Sequence, residues 1–216
     1  SNDDGAEAWT LTGSSGVDTI TGDGGIDTIT GGPGLDTIAL ATDTAADVVH
    51  FTTASDGGVA GNDSAGDTIT GFKSTDDKIT ISGALATLLD DITDNTALAS
   101  TSGLNDGATG SAVASNVTTT DEMIFLNRAN IGTLAAANLD DVSAVATALE
   151  IQVTLTAAAG DDALLVLESS DTAGTFGVYY YKEVVGGTAD QFDVADLTVL
   201  GIVTGNDIVA ADIITT

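Results

Sequence analysis

The stretch that decides the fold runs from Gly16 to Ile38, GVDTITGDGGIDTITGGPGLDTI. The phrase Gly-x-Asp-Thr-Ile begins at Gly16, Gly25 and Gly34, nine residues apart each time. Aligned in nines, the units read GSSGVDTIT (13–21), GDGGIDTIT (22–30) and GGPGLDTIA (31–39). The first six positions carry turn chemistry, with glycines where the backbone needs positive φ. The last three form a short strand: the apolar residue at position eight points inward and its flanking threonines point out. A unit this short cannot bury one isoleucine alone, but stacked units can. Two units make one coil, so successive turns fall on opposite sides of the stack. Asp18 and Asp36 then share one side and Asp27 takes the other. Carbonyl and carboxylate oxygens converge between stacked turns, and hard oxygen ligands in a flexible loop suit Ca²⁺.

Composition points the same way. The 216 residues carry 33 Asp plus Glu against 4 Lys plus Arg, a formal charge of −29. A compact body with that charge repels itself and needs a cation. The balance argues against nucleic acid and against an anionic membrane surface as partners. Hydrophobic residues, at 43%, are enough for a core, while aromatics reach only 4%. Gly, Ala, Thr and Asp suit strands joined by tight turns. With no cysteine, disulfides and Cys-based zinc sites are excluded. No apolar run approaches transmembrane length, so direct membrane insertion is not expected. The absence of an N-terminal Met and the early repeats suggest a fragment of a longer protein.

Degenerate units flank the regular ones. In TDTAADVVH (42–50), Asp47 takes position six and Val49 position eight; in NDSAGDTIT (62–70), Asp67 and Ile69 do so. NDDGAEAWT (2–10) is expected to place Glu7 and Trp9 in those slots, and 52–61 to be a polar loop.

The units 13–39 resemble the RTX (repeats-in-toxin) nonapeptide. The resemblance implies a short right-handed parallel β-roll binding several Ca²⁺ ions. Its implied ligands are the carboxylates of Asp18, Asp27 and Asp36 with carbonyls of Gly13, Ser15, Gly22, Gly24, Gly31 and Pro33. Asp43, Asp47, Asp63 and Asp67 are the candidates of the degenerate units. GDTITGFKSTDDKITIS (66–82) resembles the segment that closes many RTX rolls, with Phe72 and Ile79 covering the open end. There Asp77 either completes an ion site or holds a turn.

Beyond the cap, SGALATLLDDI (82–92) suits a short helix with Ser82 as N-cap and Leu85, Leu88, Leu89 and Ile92 on one face. Residues 93–120 read as a polar loop. A strand is expected at 122–127, then a helix capped by Asn138 with Leu139, Val142, Val145, Ala146 and Leu149 inward. Strands follow at 151–156, 163–168, 175–184 and 197–203. Tyr179–Tyr181 fit a sheet strand better than a sugar platform. This last third resembles the C-terminal module of type I-secreted surface proteins, whose uncleaved secretion signal lies at the extreme C-terminus.

The expected fold is therefore mainly β. A β-roll with its capping segment spans 1–82. A β-rich α+β module with one or two short helices spans 83–216. No catalytic set is visible around the lone His50. The expected function is structural: a Ca²⁺-binding module of a secreted Gram-negative surface protein of S-layer type. Its partners are copies of itself in a calcium-dependent array and the type I secretion machinery. The alternatives are the tail of a large RTX adhesin or of an exported hydrolase.

Overall fold

A Thr-Ile-Thr strand exposes two hydroxyls and one apolar side chain, so it is stable only where another strand covers that side chain. The computed structural model satisfies this by alternation. It describes residues 5, 7–58, 61–62, 66–89, 116–117, 123–128, 131–152, 154–155, 162–184, 191–206 and 208–215. The first strands are β1 (Thr10–Thr12), β2 (Thr19–Thr21), β3 (Thr28–Thr30), β4 (Thr37–Ala39), β5 (Val48–Phe51), β6 (Asp67–Phe72) and β7 (Lys78–Ile81). Odd-numbered strands enter one sheet and even-numbered strands the other. Every neighbouring pair among them is parallel, as in Leu11↔Ile29↔Val49↔Ile79 and Ile20↔Ile38↔Ile69.

Ile29, Ile38, Val49, Ile69 and Ile79 are fully buried between the sheets, while Leu11 and Ile20 at the N-terminal end are only partly covered. Full burial of one such side chain is worth about 1.5–3 kcal/mol. The register corrects one expectation. Leu11, not Trp9, fills the apolar slot of the first unit, and Trp9 is exposed. That unit therefore runs two residues later than expected.

The stack continues into the C-terminal half. After helix α1 (Gly83–Leu88) come β8 (Asn116–Val117), β9 (Met123–Leu126), helix α2 (Val142–Gln152), β10 (Thr154–Leu155), β11 (Asp162–Glu168), β12 (Thr175–Lys182), β13 (Leu197–Gly205) and β14 (Ile213–Thr215). β13 pairs in parallel with β6, and β14 with β7. Phe72 and Ile79 are buried, but they do not close an open end, because β13 and β14 extend both sheets past them. The orders are β1-β3-β5-β7-β14 and β2-β4-β6-β13-β12-β11-β9; β8 and β10 pair separately.

One apolar cluster runs from Ile29 to Val203 and Ile213, between the sheets. A second lies on the opposite face of β9, β11, β12 and β13, covered by Leu139 and by α2 through Val142, Val145, Ala146 and Leu149. The cap of α2 is Asp141, whose Oδ1 accepts from the Ser143 and Ala144 N–H groups at 3.0 Å, rather than Asn138, which ends a 3₁₀ turn. Ile151 and Gln152, expected in a strand, extend α2. Ser82 precedes α1 without a side-chain cap bond; Leu85 and Leu89 are buried, and Ile92 lies outside the described residues. Tyr179–Tyr181 form a buried part of β12, with Tyr179 donating to the Leu139 carbonyl at 2.6 Å. Of the expected loop 93–120, only Asn116 and Val117 are described.

Candidate metal centre

Each turn ends in an aspartate, and these aspartates form two ladders. On one side the Asp18 N–H donates to Asp36 Oδ1 at 2.8 Å, and the Asp36 N–H to Asp67 Oδ1 at 2.9 Å. On the other side Trp9 donates to Asp27, Asp27 to Asp47 and Asp47 to Asp77, at 2.9, 2.9 and 3.0 Å. One oxygen of Asp27, Asp36, Asp47, Asp67 and Asp77 thus ties its turn to the turn before it. Trp9 stands where an aspartate would complete the second ladder.

The other oxygen divides the aspartates into two groups. In Asp18, Asp27 and Asp77, Oδ2 accepts a backbone N–H four residues back, from Ser14, Asp23 and Lys73. In Asp36, Asp47 and Asp67, Oδ2 is buried and has no hydrogen-bond partner. All three residues are 1% exposed. A buried carboxylate in that state needs a proton or a cation. Burial pushes Asp67 up to about 8 and Asp47 up to about 6, with neighbouring aspartates adding to the effect. Asp36 and Asp77 are raised for the same first reason. Asp18 moves the opposite way, because the Ser14 N–H and hydroxyl hold its anion.

Two of the orphan oxygens converge over Gly31. A Cβ on Gly31 would lie 2.5 Å from Asp36 Oδ2 and 2.9 Å from Asp67 Oδ2. The space left by the missing side chain is therefore lined by two carboxylates from successive turns. A Cβ on Gly13 would meet the Gly31 carbonyl and lie 2.9 Å from Asp18 Oδ2. Gly32, at φ +89°, faces the Ser14 carbonyl, and Gly34 faces that of Gly16. Oxygens of Gly13, Ser14, Gly16 and Gly31 thus lie against the neighbouring turn, whereas Ser15 and Pro33 are exposed in the same turns. On the other side, Gly22 packs against Asp27 Oδ2, and Gly24 lies between the Gly5 carbonyl and Asp43 Oδ2. Asp63 lies outside the described residues.

Asp56 was hidden within the expected polar loop. It is 2% exposed and accepts from the Thr52 and Thr53 N–H groups, repeating the bond of Ser14 to Asp18. Its charge reaches both Asp36 and Asp67. The signal was present in the sequence: Asp56 follows Asp47 by nine residues.

No family model, curated protein or solved structure matches the chain. Among the described residues, no three carboxylate, imidazole or thiolate side chains gather where they could hold a metal ion. A cation between these turns would therefore be held by carboxylates in pairs, with carbonyls completing the shell. The donors are all oxygen, which fits Ca²⁺ and does not fit a soft or imidazole-seeking metal. On one side the unpartnered Oδ2 atoms are those of Asp36 and Asp67, beside Gly31, and on the other those of Asp43 and Asp47.

Proposed function

We propose that residues 10–81 are a short right-handed parallel β-roll of RTX type, which binds several Ca²⁺ ions between its turns. We propose further that the chain is a structural, non-catalytic module of a secreted bacterial surface protein of S-layer type. The observation that carries this reading is the buried, unpartnered Oδ2 of Asp36, Asp47 and Asp67. In the fold their Oδ1 atoms accept from the backbone N–H groups of Asp18, Asp27 and Asp36 in the turns before them, which leaves Oδ2 for a cation. Bound calcium would supply the positive charge that 33 acidic residues lack.

The reading couples folding to location. Extracellular modules bind Ca²⁺ at roughly 10⁻⁴–10⁻³ M. Inside a cell the turns would stay unliganded and their aspartates would repel. The chain would then leave by the type I route with its N-terminal coils open and close them outside, on the Gram-negative surface. Copies carrying a charge of −29 would pack into an array only with divalent ions between their exposed acids. His50, half-buried with Nδ1 3.4 Å from Ser82 Oγ, has no part in this reading.

Far-UV circular dichroism and thermal melts in calcium and in chelator test the module. Gain of β signal and a higher melting temperature in calcium are expected, and identical curves contradict the reading. Negative-stain microscopy under the same two conditions tests the array: ordered assemblies in calcium support it, and single particles in both reject it.

A further inference from the structure

Lys73 is the first lysine or arginine in the chain, after 72 residues with neither. It sits at the start of the last turn on the Asp27–Asp47–Asp77 side. Its ammonium donates to the Asp43 carbonyl at 2.8 Å and pairs with Asp76 Oδ2 at 2.5 Å. Those partners belong to two successive turns, 42–47 and 73–77, which the Asp47 N–H to Asp77 Oδ1 bond also joins. Around them, the Asp43 and Asp47 Oδ2 atoms are buried without hydrogen-bond partners, and the Asp43 and Asp76 charges press on Asp77. Between turns 13–18 and 31–36, the corresponding space is lined by oxygens: the Gly31 carbonyl, Asp18 Oδ2 and the Ser14 carbonyl.

We propose that the Lys73 ammonium is a cation built into the chain, occupying between the last two turns of this side the role that a divalent ion has elsewhere in the stack. This rests on the calcium reading for the other turns but makes a separate claim. The pair of turns that Lys73 bridges keeps one positive charge between its carboxylates when calcium is absent. β5 and β7 therefore stay paired in chelator, whereas the coils nearer the N-terminus separate. Folding outside the cell then has a direction, from the Lys73 end towards β1.

Hydrogen–deuterium exchange of the full chain in chelator tests this. The variants are Lys73→Met, Lys73→Arg and, as a charge control, Lys182→Met on the exposed end of β12. Wild type, Lys73→Arg and Lys182→Met are expected to protect the amides of 48–51 and 78–81. Lys73→Met should exchange there at least about tenfold faster. Calcium should restore its protection, with one more ion per chain by atomic emission than in wild type. Equal protection of Lys73→Met and wild type in chelator overturns the proposal, as does a loss that calcium cannot restore. If wild type binds no calcium, the general calcium reading falls, while the comparison in chelator still decides the role of Lys73.

Discussion

Asp67 shows most clearly what one side chain does here. Its Oδ1 is committed to the Asp36 N–H, and its Oδ2 faces Asp36 Oδ2 across the gap over Gly31. Without a cation, burial holds its carboxyl up at about 8, above the 3.8 of an unfolded chain. The folded state therefore binds the proton more tightly than the unfolded state. The stability this gives is full below about pH 4 and is lost as pH rises through about 8. Asp47 acts in the same sense, its contribution gone once pH has risen through about 6. In chelator, wild type should lose more melting temperature between about pH 5 and about pH 8 than Asp67→Asn, which keeps the Oδ1 acceptor and removes the charge. In calcium at neutral pH the order should reverse. A site held at about 100 times its dissociation constant contributes about 2.7 kcal/mol, and the variant forgoes it. Thermal melts of the two chains at both pH values, with and without calcium, provide the check.

A strand of three residues is stable only through its neighbours, and the cost of emptying position eight should follow its place in the stack. Ile38 is fully buried between strands on both sides, so Ile38→Ala should cost about 2–5 kcal/mol. Ile20, on an edge strand and partly exposed, should cost less by the same urea denaturation measurement. These strands were legible because turn glycines, aspartate and isoleucine recur on one period. The first unit was misplaced by two residues because Trp9 looks like a core residue, yet it holds the aspartate's position at the N-terminal end of the stack, where its side chain is left exposed. Asp56 was missed because its unit has Gly58 at position eight and leaves no strand to notice. Helix α2 was legible from its apolar face, but its start was not, since both Asn138 and Asp141 are good caps and only tertiary packing chooses between them. The gap over Gly31, and the contacts of Lys73, join turns far apart in sequence, beyond what local pattern can reveal.

At the scale of the whole molecule, the chain's end completes what its beginning starts. β14 joins β7 more than 130 residues after it, with Asp212 as the fastener: Oδ1 accepts from Lys78 Nζ at 2.7 Å, and Oδ2 from the Ser74 hydroxyl at 2.5 Å and the Val209 N–H at 3.1 Å. Asp212 is 2% exposed, so Asp212→Ala removes a buried acceptor from the part-buried Lys78 ammonium and the Ser74 hydroxyl and should cost about 1–3 kcal/mol, read by chemical denaturation in calcium. No periodicity announces this closure, because β13 and β14 lie outside the repeat and pair with it only in three dimensions. The combined stack, with its negative charge and its unpartnered oxygens, supports the proposed structural role of calcium. Its most direct test is an isothermal calcium titration of the metal-free chain, with the bound ions counted by atomic emission after dialysis. The account predicts saturable binding of more than one ion per chain at sub-millimolar to millimolar calcium, with fewer ions in Asp67→Asn. No heat of binding and no retained calcium at millimolar concentration would contradict it.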